Sequence, residues 1–268
     1  MYANILTIAG SDSGGGAGIQ ADLKAISATG AYGLSVITAL TAQNTVGVDE
    51  IYPVSIDFLK QQMRTVACDI RFDAVKVGML GTPEVIEAVT EFLETLSCPV
   101  VVDPVMVAKS GDRLLQADAI SALRDVLIPQ ATVITPNLPE AADLLDVTEA
   151  SDRDIMLSQA RALLALGSQA VLLKGGHLST EESPDLLMSE SQAQWFDTAR
   201  VATTNTHGTG CTLSSALASF LGQGHPVDVA VAKAKDYISG AIAAADQLNV
   251  GEGHGPVNHF WALWGNNG

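Results

Sequence analysis

The 268-residue chain carries 30 acidic against 14 basic side chains, a formal net charge of −16, which repels nucleic acid and anionic membranes at long range. At 47% hydrophobic it has ample material for one large core, yet no apolar run reaches the roughly 18 residues of a membrane span, and no cationic segment opens the chain as a signal peptide requires. Its three cysteines, Cys68, Cys98 and Cys211, lack Cys-x-x-Cys spacing, which points away from a disulfide scaffold or zinc knuckle and towards a reducing cytoplasm.

Residues 4–9 form an apolar run that predicts a strand, and Ile19, Leu23 and Ile26 then recur at helical spacing until Gly30. The glycine-rich loop between them, 10–18, lacks the Gly-Lys-Ser/Thr of a Walker A and misses the dinucleotide register Gly-x-Gly-x-x-Gly. It still lets a small ligand lie against bare backbone at Gly10. Asp22, one turn into the helix, is either an anchor for that ligand or a solvated carboxylate favouring the helix dipole. A strand over 34–41 delivers Gln43, whose amide can pair with a planar heterocycle or merely cap a turn. Residues 46–54 read as a short edge piece closed by Pro53.

A helix follows from Ser55, then a strand over 74–80 whose Gly78, Met79 and Gly81 bring bare backbone and one soft apolar side chain to its end. Thr82-Pro83 reads as an N-cap with proline at the first helical position. A β-branched strand over 99–102 ends at Asp103, and its loop carries Val107, Lys109, Ser110 and Gly111. Further on come a helix over 118–128, a strand over 132–135, and a turn in which Asn137 and Glu140 are set to face one another at the start of the next helix. Ser151 opens a helix reaching Gly167, and the strand over 170–173 ends in Lys174-Gly175-Gly176-His177.

Apolar strands alternating with helices predict a three-layer α/β/α sandwich with a mostly parallel central sheet, folded as a single domain over 1–268. Residues 186–188 and 194–196 add a small hairpin at one edge, and 229–248 an alanine-rich helix. Ligands of such sheets bind beyond the carboxyl ends of the strands, where Gly10, Gln43, Met79, Asp103, Asn137 and Lys174 all fall.

In the stretch Asn205-Thr206-His207-Gly208-Thr209-Gly210-Cys211-Thr212, a small, polar loop tightens through two glycines. Leu213, Ala216, Leu217 and Phe220 then repeat on one helical face. The unpaired N–H groups and positive dipole end of that helix make an anion site, open to a phosphate because glycines carry no Cβ. Cys211 stands at its mouth, as nucleophile, base or hydrogen-bonding wall; a helix end can lower the pKa of such a thiol.

These blocks, together with Lys76-Val77-Gly78-Met79 and Thr135-Pro136-Asn137-Leu138-Pro139-Glu140, resemble the hydroxymethylpyrimidine/phosphomethylpyrimidine kinases of thiamine biosynthesis, in the ribokinase-like superfamily. The resemblance spans nearly the whole chain, and its departure is small: many relatives carry Pro and Ser at the places of Ser13 and Gly14. It implies ATP-dependent phosphorylation of 4-amino-5-hydroxymethyl-2-methylpyrimidine and then of its monophosphate, with Mg2+, as a homodimer. Carried onto this chain, Gln43 would hold the pyrimidine, surrounded by Gly10, Ala17, Asp22, Met79 and Val107. Asp103, Asn137, Lys174, Thr206 and Thr209 would serve ATP, Glu140 the metal, and Gly208, Gly210 and Cys211, with Lys174, the transfer itself. The alternatives are a pyridoxine/pyridoxal kinase, a non-catalytic sensor that keeps only the pocket, and a cysteine hydrolase using His207 as base for Cys211.

Overall fold

In the computed structural model of the chain, residues 1–106, 117–178 and 182–264 are described; Val107, Lys109, Ser110 and Gly111 lie outside them. Nine strands form one sheet: β1 (Asn4–Asp12), β2 (Tyr32–Gln43), β3 (Val48–Pro53), β4 (Ala74–Val77), β5 (Val100–Val102), β6 (Val133–Ile134), β7 (Ala170–Lys174), β8 (Asp185–Ser189) and β9 (Ala193–Phe196). Their spatial order is β3-β2-β1-β4-β5-β6-β7-β8-β9. The six strands from β2 to β7 run parallel, while β3 closes one edge and the β8–β9 hairpin the other in antiparallel fashion.

Strand alternation sorts the core into two halves. Leu6, Ile8, Val75, Val77, Val102 and Ile134 point to one face, against α2 (Ile56–Ala67), α3 (Pro83–Leu93), α4 (Ala117–Ala122), α5 (Leu138–Leu145) and α6 (Arg153–Leu164). Ile5, Ala74, Val101, Val133 and Ala170 point to the other, against α1 (Gly18–Ala28), α7 (Thr209–Gly222) and α8 (Val227–Ala243). The second face carries smaller side chains, so alanine-rich α7 and α8 sit close to the sheet.

Several boundaries differ from the sequence reading for physical reasons. β1 runs past Gly10 to Asp12 because the long β2 keeps pairing with it, Ser11 with Leu40 and Asp12 with Thr41, after a shift in register. α7 starts at Thr209 and takes Gly210, expected in the loop, into its first turn, since Gly208 adopts a left-handed N-cap at φ 77°. The helix expected over 118–128 becomes α4, one π turn (Leu123–Leu127) and a 3-10 turn (Ile128–Gln130) as it meets Pro129. α6 begins at Arg153, with Asp152 instead of Ser151 as the cap that accepts from the Ile155 N–H at 2.9 Å.

Candidate active site

A cavity of about 960 Å³ opens beyond the carboxyl ends of the strands, large enough for two small ligands side by side. All six strand-end residues named from the sequence border it: Gly10, Gln43, Met79, Asp103, Asn137 and Lys174. The anion loop supplies Thr206, Gly208, Thr209, Gly210 and Cys211, and the glycine-rich loop Ala17.

The glycine-rich loop is built around one carboxylate. Asp12 accepts from the backbone N–H of Gly14 at 2.8 Å, Gly16 at 3.0 Å and Ala17 at 2.8 Å, and pairs with His207 Nε2 at 2.9 Å. Burial pushes its acidity the wrong way, but His207 and the backbone donors outweigh that and hold Asp12 below the usual carboxylate range. The pairing ties the two ligand-facing loops together. A Cβ on Gly208 would fall 1.8 Å from the Gly16 carbonyl oxygen, so only glycine allows the approach. His207 pairs with Asp12 and, among the described residues, makes no hydrogen bond to Cys211, so the geometry gives the hydrolase reading no nucleophile–base pair. On the rim, Thr41 Oγ1 donates to Gln43 Oε1 at 3.2 Å, while Ser13 fixes the Gln43 backbone from both sides.

At the other end stands a charged group drawn from β5, β7 and α5. Lys174, at the end of β7, donates to Asp103 at the end of β5 at 3.0 Å and lies 4.0 Å from Glu140. Asp103 also accepts from Thr135 at 3.0 Å and from Ser214 of α7 at 3.3 Å. Asn137 and Glu140 do face one another, in a capping box: the Asn137 N–H donates to Glu140 Oε2 at 2.8 Å and the Glu140 N–H to Asn137 Oδ1 at 2.9 Å. Burial lifts the Glu140 carboxyl to about 7 against the pull of Lys174, and the neighbouring Asp103 adds to the rise. For Lys174 burial works against the charge, but Asp103 and Glu140 prevail and keep the ammonium protonated. Glu140 Oε1 has no hydrogen bond among the described residues, leaving one carboxylate oxygen without a partner on a residue that lines the cavity. One such oxygen is the usual protein share of a Mg2+ bound mainly by phosphates and water.

Cys211 lies in the first turn of α7, yet its thiol is pushed up to about 11, by burial first and by Asp22 and Asp103 next, with Lys76 acting in the opposite sense. The helix end does not win. The thiol is therefore protonated at neutral pH, and Thr209 Oγ1 turns back to the Thr206 carbonyl at 2.7 Å, shaping the loop around it.

Asp22 departs from both sequence readings. It is neither solvated nor on the cavity wall: fully buried, it accepts from Thr7 Oγ1 at 2.6 Å, Ser215 Oγ at 2.7 Å and both ways from Lys76 Nζ at 2.9 Å. Lys76, which borders the cavity, went unassigned in the sequence. Its signal was legible nonetheless: a lone cation in the apolar strand Ala74-Val75-Lys76-Val77 must find a buried anion. A second pair, Asp185 with Lys235, borders the far part of the cavity, where Val201, Ile238 and Ile242 give it an apolar lining; no pattern in the sequence marked it.

Known proteins resemble this chain in sequence and fold. A family model described as phosphomethylpyrimidine kinase matches residues 12–258. The chain is 54% identical over 262 residues to a hydroxymethylpyrimidine/phosphomethylpyrimidine kinase of Salmonella typhimurium, covering 97% of this chain and 98% of that protein. Among solved structures, a Clostridium difficile phosphomethylpyrimidine kinase superposes with a TM-score of 0.80 at 44% identity, over 90% of this chain and 99% of that one. An ADP complex of Bacillus subtilis pyridoxal kinase superposes with a TM-score of 0.91 at 37% identity, over 98% and 100%.

Proposed function

The chain belongs to the phosphomethylpyrimidine kinase family, and on that premise we propose that it transfers the γ-phosphoryl group of ATP to 4-amino-5-hydroxymethyl-2-methylpyrimidine, and then to the monophosphate so formed, in thiamine biosynthesis. The observation that carries this reading is the two-ended cavity. The Gly10–Gln43–Met79 end offers bare backbone, an amide and a thioether to a flat heterocycle, and the Lys174–Asp103 end offers a cation; the N-terminus of α7 lies between them. An acceptor at one end and a triphosphate at the other meet over Gly208 and Gly210, where backbone N–H groups face the transferring group.

Positioning and electrostatics do most of the work in phosphoryl transfer. Gln43 pairs with the heterocycle edge and Met79 packs on its face, while Lys174 reaches the β/γ-phosphates by exchanging Asp103 for them. Glu140, backed by Asp103, would hold Mg2+, which would supply charge neutralisation on the nucleotide phosphates. Thr206 and Thr209 shape the phosphate loop, and the apolar far part of the cavity takes the base of the nucleotide. With its thiol protonated, Cys211 closes the anion hole and is not the general base.

Incubation with ATP, Mg2+ and the pyrimidine alcohol, followed by phosphorus NMR, tests the reading: monophosphate and then diphosphate are expected, and the absence of both overturns it. Pyridoxal belongs in a parallel tube, because the pyridoxal kinase likeness is the stronger in TM-score; faster turnover of pyridoxal would reassign the substrate. Single-turnover rates of the two steps in Cys211→Ala test the thiol. Parallel losses are expected, whereas a loss of two to four decades confined to the alcohol would restore the base role. We assign the enzyme to the cytoplasm as a single kinase domain over 1–268 that forms a homodimer. The exposed Leu40 and its cross-strand neighbour Tyr52 support the dimer, and light scattering at twice the chain mass would bear it out. Among the described residues no helix is long and apolar enough to cross a membrane.

A further inference from the structure

On the kinase reading, Lys174 serves the nucleotide side of the transferring group. A second cation stands on the acceptor side. Strand alternation turns Thr7 and Lys76 to the face covered by α1 and α7, and there the Lys76 side chain has no exposed surface. Both oxygens of Asp22 accept from its ammonium at 2.9 Å. Asp22 is itself fixed by Thr7 of β1 and Ser215 of α7, so two elements besides its own helix set where the ammonium sits.

The space for that ammonium is written into the chain. A Cβ on Gly78 would stand 2.7 Å from Lys76 Nζ and 3.0 Å from the Ala9 methyl group, so a side chain there would displace the head group. Among the described residues Asp22 is the only hydrogen-bond partner of Lys76, although an ammonium carries three N–H donors. Lys76 also borders the cavity, and its charge acts on both Cys211 and Asp103. Stability alone is a weak reason for such a pair, because well-packed apolar side chains of the same volume serve a core as well or better. A cation held rigidly at the cavity wall by buried partners costs no reorganisation when charge develops nearby.

We propose that Lys76, oriented by Asp22, Thr7 and Ser215, is a further positioning residue of the phosphoryl transfer, a fixed cation that steadies the acceptor oxygen from beneath while Lys174 holds the phosphates from the opposite side. As the acceptor oxygen bonds to the γ-phosphorus, the bond from that phosphorus to the β–γ bridging oxygen breaks and the hydroxyl proton leaves to water. Lys76 keeps its protons throughout. What it supplies is field, by stabilising negative charge that the acceptor oxygen gains during attack.

The test begins with the wild type, since failure to phosphorylate either the pyrimidine or pyridoxal overturns the kinase reading itself. Given an active wild type, Lys76→Met combined with Asp22→Asn removes both charges together and leaves no unpaired ion. The expected result is a folded protein with ADP affinity within about twofold of wild type and a single-turnover rate lower by about 100-fold, the scale of one lost stabilising donor. A folded double variant that turns over within about threefold of wild type overturns the part given to Lys76. Lys76→Ala, assayed below its melting temperature, supplies a second route should the double variant not fold. Propylammonium should restore its rate saturably and propanol should not; an equal response to both, or to neither, overturns the proposal.

Discussion

Two lysine–aspartate pairs flank the N-terminus of α7, alike in geometry and opposite in setting. Lys174 and Asp103 meet at 3.0 Å with the lysine side chain 15% exposed, whereas Lys76 and Asp22 meet at 2.9 Å with neither side chain exposed at all. The first pair looks into the cavity, and its lysine can leave the carboxylate for a phosphate without crossing a barrier of packed atoms. The second is locked by Thr7, Ser215 and the bare backbone of Gly78. Identical chemistry thus gives one group able to change partners and one able only to hold a field, and burial decides which.

The sharpest way to break the contrast is to remove one charge from the sealed pair. Lys76→Met alone strands the Asp22 carboxylate in the core and should cost about 3–5 kcal/mol of stability, read as a lowered denaturant midpoint. Adding Asp22→Asn should recover most of it, and a single variant as stable as the double would mean that the core admits water. Lys174→Gln keeps a donor beside Asp103 but loses the cation; turnover should fall by about two to three decades, equivalent to about 2.7–4 kcal/mol, with a much smaller change in melting temperature. Comparable losses of stability and rate would make the two pairs alike.

Outside both pairs, Gln43→Ala should weaken the pyrimidine far more than ATP, by about 1–3 kcal/mol, as measured by calorimetry with each ligand separately. An equal effect on both would move Gln43 out of the acceptor end. The smallest effect is the pH response of the open cluster. With its carboxyl lifted by burial from 4.5 to about 7, the folded protein holds a proton at Glu140 that the unfolded chain has lost. Nucleotide-free stability should therefore fall as pH rises from about 4.5 to 7 and level off above. Glu140→Gln should flatten that slope relative to wild type.

What the chain determined by itself is what depends on near neighbours. Apolar runs and helical spacing gave the alternation of strands and helices, and with it the strand ends that converge on the cavity. Asn137 and Glu140 stand three residues apart, so their capping box follows from helix geometry alone. Gly208 announces its turn because no other residue suits a left-handed cap so closely packed. Tertiary structure decided the rest. Asp12 meets His207 across 195 positions and Lys76 meets Asp22 across 54, and no local pattern encodes which anion a buried cation will reach. Nor could sequence fix the state of Cys211. The helix end that it occupies favours a thiolate, but burial and two nearby carboxylates oppose it, and only the folded chain brings those terms to the same sulfur.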